Sequence, residues 1–108
     1  MRRRGKYRLR SKCIDVLYKI VECVKCRNPT LNGLKGLVVS ETKNTIQILT
    51  IDGTVKTIIK EECWYYVYDK SRIYLINGTN LRGYRDERLK YCTKLKRKKV
   101  LRRERKKL

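Results

Sequence analysis

The chain has 108 residues, with 30 Lys and Arg against 10 Asp and Glu, a formal net charge of +20 at pH 7. That length gives one domain with a modest core, and 41% hydrophobic residues rule out a compositionally disordered chain. His is absent, which removes the commonest general base, the Ser-His triads and the commonest metal ligand.

Residues 1–12 hold seven basic and no acidic side chains. They read as a basic arm of Arg2, Arg3, Arg4, Lys6, Arg8, Arg10 and Lys12. No apolar run follows Met1, so a secretory signal is not expected, and no stretch approaches the ~20 apolar residues of a membrane span. Ser11 is a candidate N-cap of a short helix reaching Lys19, with Cys13, Ile14, Leu17 and Tyr18 on one face. Residues 20–25 follow as a strand. Asn28-Pro29 ends it, because Pro lacks an N–H and keeps the preceding residue extended. Gly33 and Gly36 bracket a tight connection in which glycine takes positive φ cheaply.

A second strand starts at Leu37, and Thr42-Lys43-Asn44 is turn chemistry. Residues 45–51 form a strand with Ile46 and Ile48 on one face. Asp52-Gly53 is a strong hairpin signal, answered by a strand over 54–59. After the polar link 60–62, strands over 64–68 and 72–76 flank a turn at Asp69-Lys70-Ser71. Asn77-Gly78 leads into a short extended piece over 79–82. Short strands joined by tight turns predict a mainly β fold, a small antiparallel barrel within residues 13–84. Residues 85–108 hold thirteen basic and three acidic side chains. There Asp86 is a candidate N-cap, and Leu89, Cys92 and Leu95 form a narrow apolar stripe on a basic helix that needs a partner surface.

The residues offer no self-contained active site. The adjacent pairs Glu61-Glu62 and Asp86-Glu87 do not converge on a strand or a helix, and read as a connector and a helix start. Glycines at a phosphate-cradling spacing are missing. The five cysteines, Cys13, Cys23, Cys26, Cys63 and Cys92, are odd in number and follow no secretory signal, so a disulfide framework is not expected. Cys23-x-x-Cys26 lacks a second ligand pair, and on a strand i and i+3 face opposite sides, so no zinc site is expected. Trp64, Tyr65, Tyr66 and Tyr68 alternate between a core face and an outer face able to stack on RNA bases. Two basic ends around a mildly basic middle point to a polyanion, with nucleic acid the first choice.

The segment Asn28-Pro29-Thr30-Leu31-x-Gly33-Leu34-x-Gly36-x-Val38-Val39-x-Glu41-Thr42-x-Asn44-Thr45 resembles the signature of the ribonuclease P protein component 1 family, the Sm-like subunit of archaeal and eukaryotic particles. Asp52-Gly53, Lys56-Thr57-Ile58 and Gly83-Tyr84-Arg85-Asp86-Glu87-Arg88 are also similar to that family. Tyr84 and Arg85 stand in place of its usual Arg-Pro, and Asn32 in place of an aliphatic residue. The likeness implies a small Sm-like antiparallel barrel of roughly five or six strands, flanked by basic N-terminal and C-terminal helical segments. It implies a non-catalytic RNA-binding subunit of a ribonucleoprotein whose RNA, with its Mg²⁺, removes the 5′ leader from precursor tRNA. No cofactor is expected on this chain.

The partners so implied are ribonuclease P RNA, a zinc-ribbon protein subunit, the other ribonuclease P proteins and, indirectly, precursor tRNA, with no membrane. The short N-terminus points to an archaeal, cytoplasmic protein; a eukaryotic source implies the nucleus. Expected RNA contacts are the seven arm residues with Arg27, Lys35, Lys43, Lys56, Arg82, Arg85 and Arg88. Expected partner contacts are Cys13, Leu17, Leu89, Cys92 and Leu95. Two readings of other classes stand beside this one. The first is a small basic ribosomal protein with an SH3-like barrel; the second, less favoured, is a metal-dependent nuclease acting alone.

Overall fold

The computed structural model describes residues 5–9, 13–90 and 92. Among them, seven strands form one sheet: β1 (Gly5–Leu9), β2 (Ile20–Val24), β3 (Lys35–Glu41), β4 (Thr45–Thr50), β5 (Val55–Ile59), β6 (Trp64–Asp69) and β7 (Arg72–Asn77). Their order is β1-β7-β6-β2-β3-β4-β5. Every pairing from β7 to β5 is antiparallel. β1 instead runs parallel to β7, with Gly5 beside Arg72 and Leu9 beside Ile76. Part of the segment expected as an arm is therefore an edge strand.

Alternation along the strands builds the core. Val21 and Cys23, Val38, Ile46 and Ile48, Ile58, Tyr65 and Val67, and Ile76 are all buried in one cluster. Six strands that send alternate residues to a common cluster must curl round it as a barrel. β1 and β5 are the outermost strands, and turns span the space between the two halves of the sheet. Gly83 N, after β7, donates to Lys43 O in the β3–β4 turn at 2.9 Å.

Residues 13–19 are not helical. Ile14 and Val16 are both buried, a two-residue alternation, whereas Tyr18 is 71% exposed. Tyr18 also has φ of +64°, which no helix accepts. Asp15 Oδ1 accepts from Leu17 N at 3.2 Å, and the Ile14 carbonyl accepts from the Arg88 guanidinium. Local backbone groups are thus committed to a turn and to distant side chains instead of an i→i−4 ladder. The piece expected as extended at 79–82 is a 3₁₀ turn, Gly78–Leu81, capped by Asn77 Oδ1 accepting from Thr79 N at 3.1 Å. A helix covers 85–90, and Arg88 N donates to Tyr84 O at 3.1 Å, so it begins ahead of Asp86.

The cysteines overturn the expectation of reduced thiols. Cys13 is bonded to Cys92, 79 residues away, and Cys26 to Cys63, 37 residues away. Cys26 lies beyond the end of β2, past Lys25 at φ of +50°, so strand alternation no longer decides where it points. Cys23 is free and buried, and burial pushes its thiol up to about 12.

Candidate nucleic-acid interface

The 27–45 segment folds as the first corner of the barrel. Asn28 Oδ1 accepts from Thr30 N at 3.1 Å and from Thr30 Oγ1 at 2.7 Å, capping the 3₁₀ turn Pro29–Leu31. Asn32 Oδ1 accepts from Cys26 N at 2.8 Å, which gives this polar residue a defined place. Gly33 has φ of +85° and donates to Cys23 O at 2.8 Å. Gly36 is needed for another reason. Its φ is not positive, but a Cβ there would collide with the Leu49 carbonyl and the Ile48 side chain on β4. The corner clips the start of β3 to the end of β2 and aims β3 and β4.

The far end of β3 meets the chain's C-terminal helix. Glu41 Oε1 accepts from Lys60 Nζ at 2.8 Å and from Arg88 Nη2 at 2.7 Å. None of the three side chains is more than 1% exposed. Lys60 Nζ also donates to Thr42 O at 2.7 Å, Gly83 O at 3.1 Å and Lys43 O at 3.3 Å. Burial lowers the Lys60 ammonium below its ordinary value, and Glu41 opposes that shift. The carbonyls replace the water that a buried cation loses.

Beside this cluster, the Arg85 fork grips Asp15, Nε to Oδ1 at 2.9 Å and Nη2 to Oδ2 at 2.6 Å. That hydrogen bonding holds the Asp15 carboxyl below the usual carboxylate range, and Asp15 raises Arg85 in return.

These contacts redraw the expected site. Arg88 is an internal ion-pair residue and leaves the RNA-contact set, while Arg85 is engaged with Asp15 at the surface. Cys13 and Cys92 are used on each other, and Leu17 packs against the core. Leu89 is half-buried on the helix. Leu95, Arg2, Arg3, Arg4, Arg10 and Lys12 lie outside the described residues, and Lys6 and Arg8 fall on β1.

Arg27, Lys35, Lys43, Lys56 and Arg82 are exposed. Arg82 Nη1 sits 3.0 Å from Glu61 Oε1. Lys25, Lys70, Arg72 and Lys90 are exposed too and were not singled out from the sequence. Lys25 Nζ lies 5.5 Å from the Trp64 ring centre and Lys35 Nζ 4.5 Å from that of Tyr68. The signal for Lys25 was its place at a strand end near Arg27; its aromatic neighbour comes from the β2–β6 register, where Val24 faces Trp64. Trp64, Tyr66 and Tyr68 are half-buried, and Tyr65 is inside, its hydroxyl donating to Lys60 O at 3.1 Å.

One further relationship gathers the charge. The Cα atoms of Cys13 and Cys92 are 5.4 Å apart. The chain before Cys13, residues 1–12 with seven basic side chains and β1 among them, and the chain after Cys92, residues 93–108 with ten basic and one acidic, are thus tied to each other at this bond.

A small curled sheet with exposed cations around it and two basic segments rooted together defines a basic Sm-like barrel protein. The chain belongs to the ribonuclease P/MRP subunit p29 family, whose sequence model matches residues 19–91. It is 36% identical to Ribonuclease P protein component 1 of Methanocaldococcus jannaschii over 75 residues, 69% of this chain and 79% of that protein. It is also 36% identical to the Archaeoglobus fulgidus protein of the same name over 76 residues, 70% and 74% of the two chains. Among solved structures it resembles Mth11, described as a homologue of human RNase P protein Rpp29, with TM-score 0.51 and 25% identity over 69% of this chain and 97% of that one. The ribosomal alternative gains no support from these likenesses.

Proposed function

We propose that this chain is a non-catalytic RNA-binding subunit of an archaeal ribonuclease P, supporting RNA-catalysed removal of the 5′ leader from precursor tRNA. Its relatives are ribonuclease P proteins, so other components of that particle are its partners. The finer assignments are the particle's RNA, with Mg²⁺ held by that RNA, and its zinc-ribbon subunit. The cytoplasm is the compartment that goes with an archaeal source.

The observation that carries the reading is the common root of the two basic segments at Cys13–Cys92, on a barrel of this family. Lys and Arg placed against phosphates release condensed counterions and let RNA segments approach each other. The buried Glu41–Lys60–Arg88 cluster does something different. It fixes the helix at 85–90 to the barrel, so the C-terminal segment starts from a set position. Trp64 on the outer face, with exposed Lys25 beside it, adds a place where an unpaired base can stack.

The test is reconstituted precursor-tRNA cleavage with and without this chain, together with RNA binding across a salt series. The logarithm of the binding constant is expected to fall linearly with log salt, by roughly 0.7–0.9 per neutralised phosphate. Deleting 1–12 and 93–108 reduces that slope. A flat salt dependence with ribonuclease P RNA, or cleavage indifferent to the chain, overturns the proposal.

A further inference from the structure

The outer side of the sheet carries an apolar row that the fold itself does not use. Strand register places Val55 beside Leu49, Leu49 beside Leu37, Leu37 beside Ile20, Ile20 beside Tyr68, and Tyr68 beside Ile73. Six neighbouring strands thus give one apolar residue each to a single line. Their chain neighbours Ile48, Val38, Val21 and Val67 are the ones that point into the core. Ile20 is 39% exposed and Val55 50%, and Ile51, in the turn that follows β4, is fully exposed.

A groove of about 470 Å³ opens along the middle of the row, walled by Ile20, Leu37, Leu49 and Ile51 with Lys35 at its edge. It continues past Ile20 to Tyr68, between Lys35 and Lys70. The outer strand faces of an antiparallel barrel ordinarily carry polar residues, so a contiguous aliphatic line there marks a contact surface.

The chemistry of the lining selects the occupant. Nucleobases need aromatic planes to stack on, and these walls are aliphatic. Tyr68, at the far end, already has the Lys35 ammonium 4.5 Å from its ring centre. The rim is cationic at Lys35 and Lys70. The nearby acids are Asp69, ion-paired to Lys19 at 3.3 Å, and Glu22, which faces Lys35 across the β2–β3 register. Asp52, after Ile51, accepts from the Thr50 hydroxyl and from Thr54 N.

We propose that this groove docks an amphipathic helix of a protein partner, its apolar stripe flanked by Asp and Glu. The stretch from β4 to β6 crosses about 14 Å at the usual strand spacing. That matches roughly nine or ten residues of helix, enough for apolar side chains at i, i+3 or i+4, and i+7. Aliphatic walls take the stripe, and Lys35 and Lys70 meet the acidic flanks. The inference rests on the ribonuclease P reading for one point only, that the helix belongs to another protein of the particle.

The experiment places a photo-crosslinking amino acid at position 51 of the full chain in the reconstituted particle. The expected product is a crosslink to a protein segment that is amphipathic and acid-flanked. Ile20→Glu with Ile51→Glu, and Ile51→Glu alone, are then combined with that protein. The double substitution is expected to weaken the association about a hundredfold, from the loss of two buried aliphatic chains. Circular dichroism and affinity for ribonuclease P RNA stay unchanged. Lys35→Glu with Lys70→Glu weakens the association less and removes most of its salt sensitivity. Crosslinks to RNA alone, or no crosslink with assembly unaffected by the double substitution, overturn the docking site by itself. A chain that never enters the particle overturns the parent reading and this one together.

Discussion

Glu41 and Arg88, 47 residues apart in the chain, meet inside the protein: Arg88 Nη2 donates to Glu41 Oε1 at 2.7 Å, with both side chains 1% exposed. The first lies in the corner motif and the second in the Gly83–Arg88 segment, the two stretches that carried the family likeness. Lys60 completes the cluster, so one carboxylate oxygen of Glu41 is shared by two buried cations. Glu41→Gln removes the carboxylate charge that both cations share and is expected to cost roughly 3–5 kcal/mol, the range for breaking a buried ion pair from one side. Urea denaturation measures this; a loss under about 1 kcal/mol contradicts a dry cluster.

Asp15 and Arg85 give the acid response. Arg85 hydrogen bonding depresses the Asp15 pKa in the folded protein below its ordinary 3.8. The unfolded chain therefore takes up that proton more readily. The stabilisation is present above the ordinary value and is lost as pH falls through the lower folded one. Denaturant midpoints measured down the acid range should drop below about pH 4, and Asp15→Asn should remove that part of the slope. The pair is about one-third exposed, 36% and 34%, so solvent screening keeps the effect small. An unchanged slope in the variant contradicts the assignment.

The two disulfides close loops of 79 and 37 residues. Chain entropy assigns each roughly 4 kcal/mol, so reductant should lower the thermal midpoint substantially. A denatured but unreduced sample should titrate one thiol, Cys23. In the folded protein that thiol should be inert at neutral pH, being buried with its pKa pushed up to about 12. Three or five thiols in the denatured sample would contradict the pairing. Cys13→Ser with Cys92→Ser should weaken RNA binding as well, by releasing the common root of the two basic segments.

Gly33 and Gly36 separate two uses of glycine. At Gly33 the φ of +85° is the requirement, and a Cβ there meets nothing within 4 Å. Gly33→Asn should therefore be mild, since Asn tolerates that region, and Gly33→Ala should cost about 1 kcal/mol. At Gly36 space is the requirement, because a Cβ would press on the Leu49 carbonyl. Gly36→Ala and Gly36→Asn should both cost roughly 1–3 kcal/mol or more. Equal tolerance of Asn at the two positions would contradict this division.

Much of the barrel was legible because its cues are short-range. Alternation set Ile46 and Ile48 on one face of 45–51 and separated Tyr65 and Val67 from Tyr66 and Tyr68, and the pleat of a strand is all that such a pattern needs; which of the two faces of 64–68 is inside, that of Tyr65 and Val67, came from the structure. Asp52-Gly53 and Asn28-Pro29 marked turns through their own φ preferences. The reading failed at 13–19, where Ile14 and Val16 supply a strand-like alternation that a helical spacing of Cys13, Ile14, Leu17 and Tyr18 obscured. Arg85 and Arg88, some seventy residues away, bind Asp15 and the Ile14 carbonyl and hold that segment as a non-helical stretch ending in a turn. In the site, exposed Lys35, Lys43 and Lys56 followed from turn and edge positions, whereas Arg88 was indistinguishable from its charged neighbours.

By itself the sequence determined the mainly β class, the position of most turns, the two-residue alternation in 45–51 and 64–68 and the surplus of positive charge. Each depends on a residue's own chemistry or on a period of a few residues. The tertiary structure alone decided the parallel edge strand, the cysteine pairs, the burial of Arg88 with Lys60 on Glu41, and the outer line from Val55 to Ile73. Each of those sets a distance between residues tens of positions apart, and no local period carries that distance; it exists once the sheet has curled round its core.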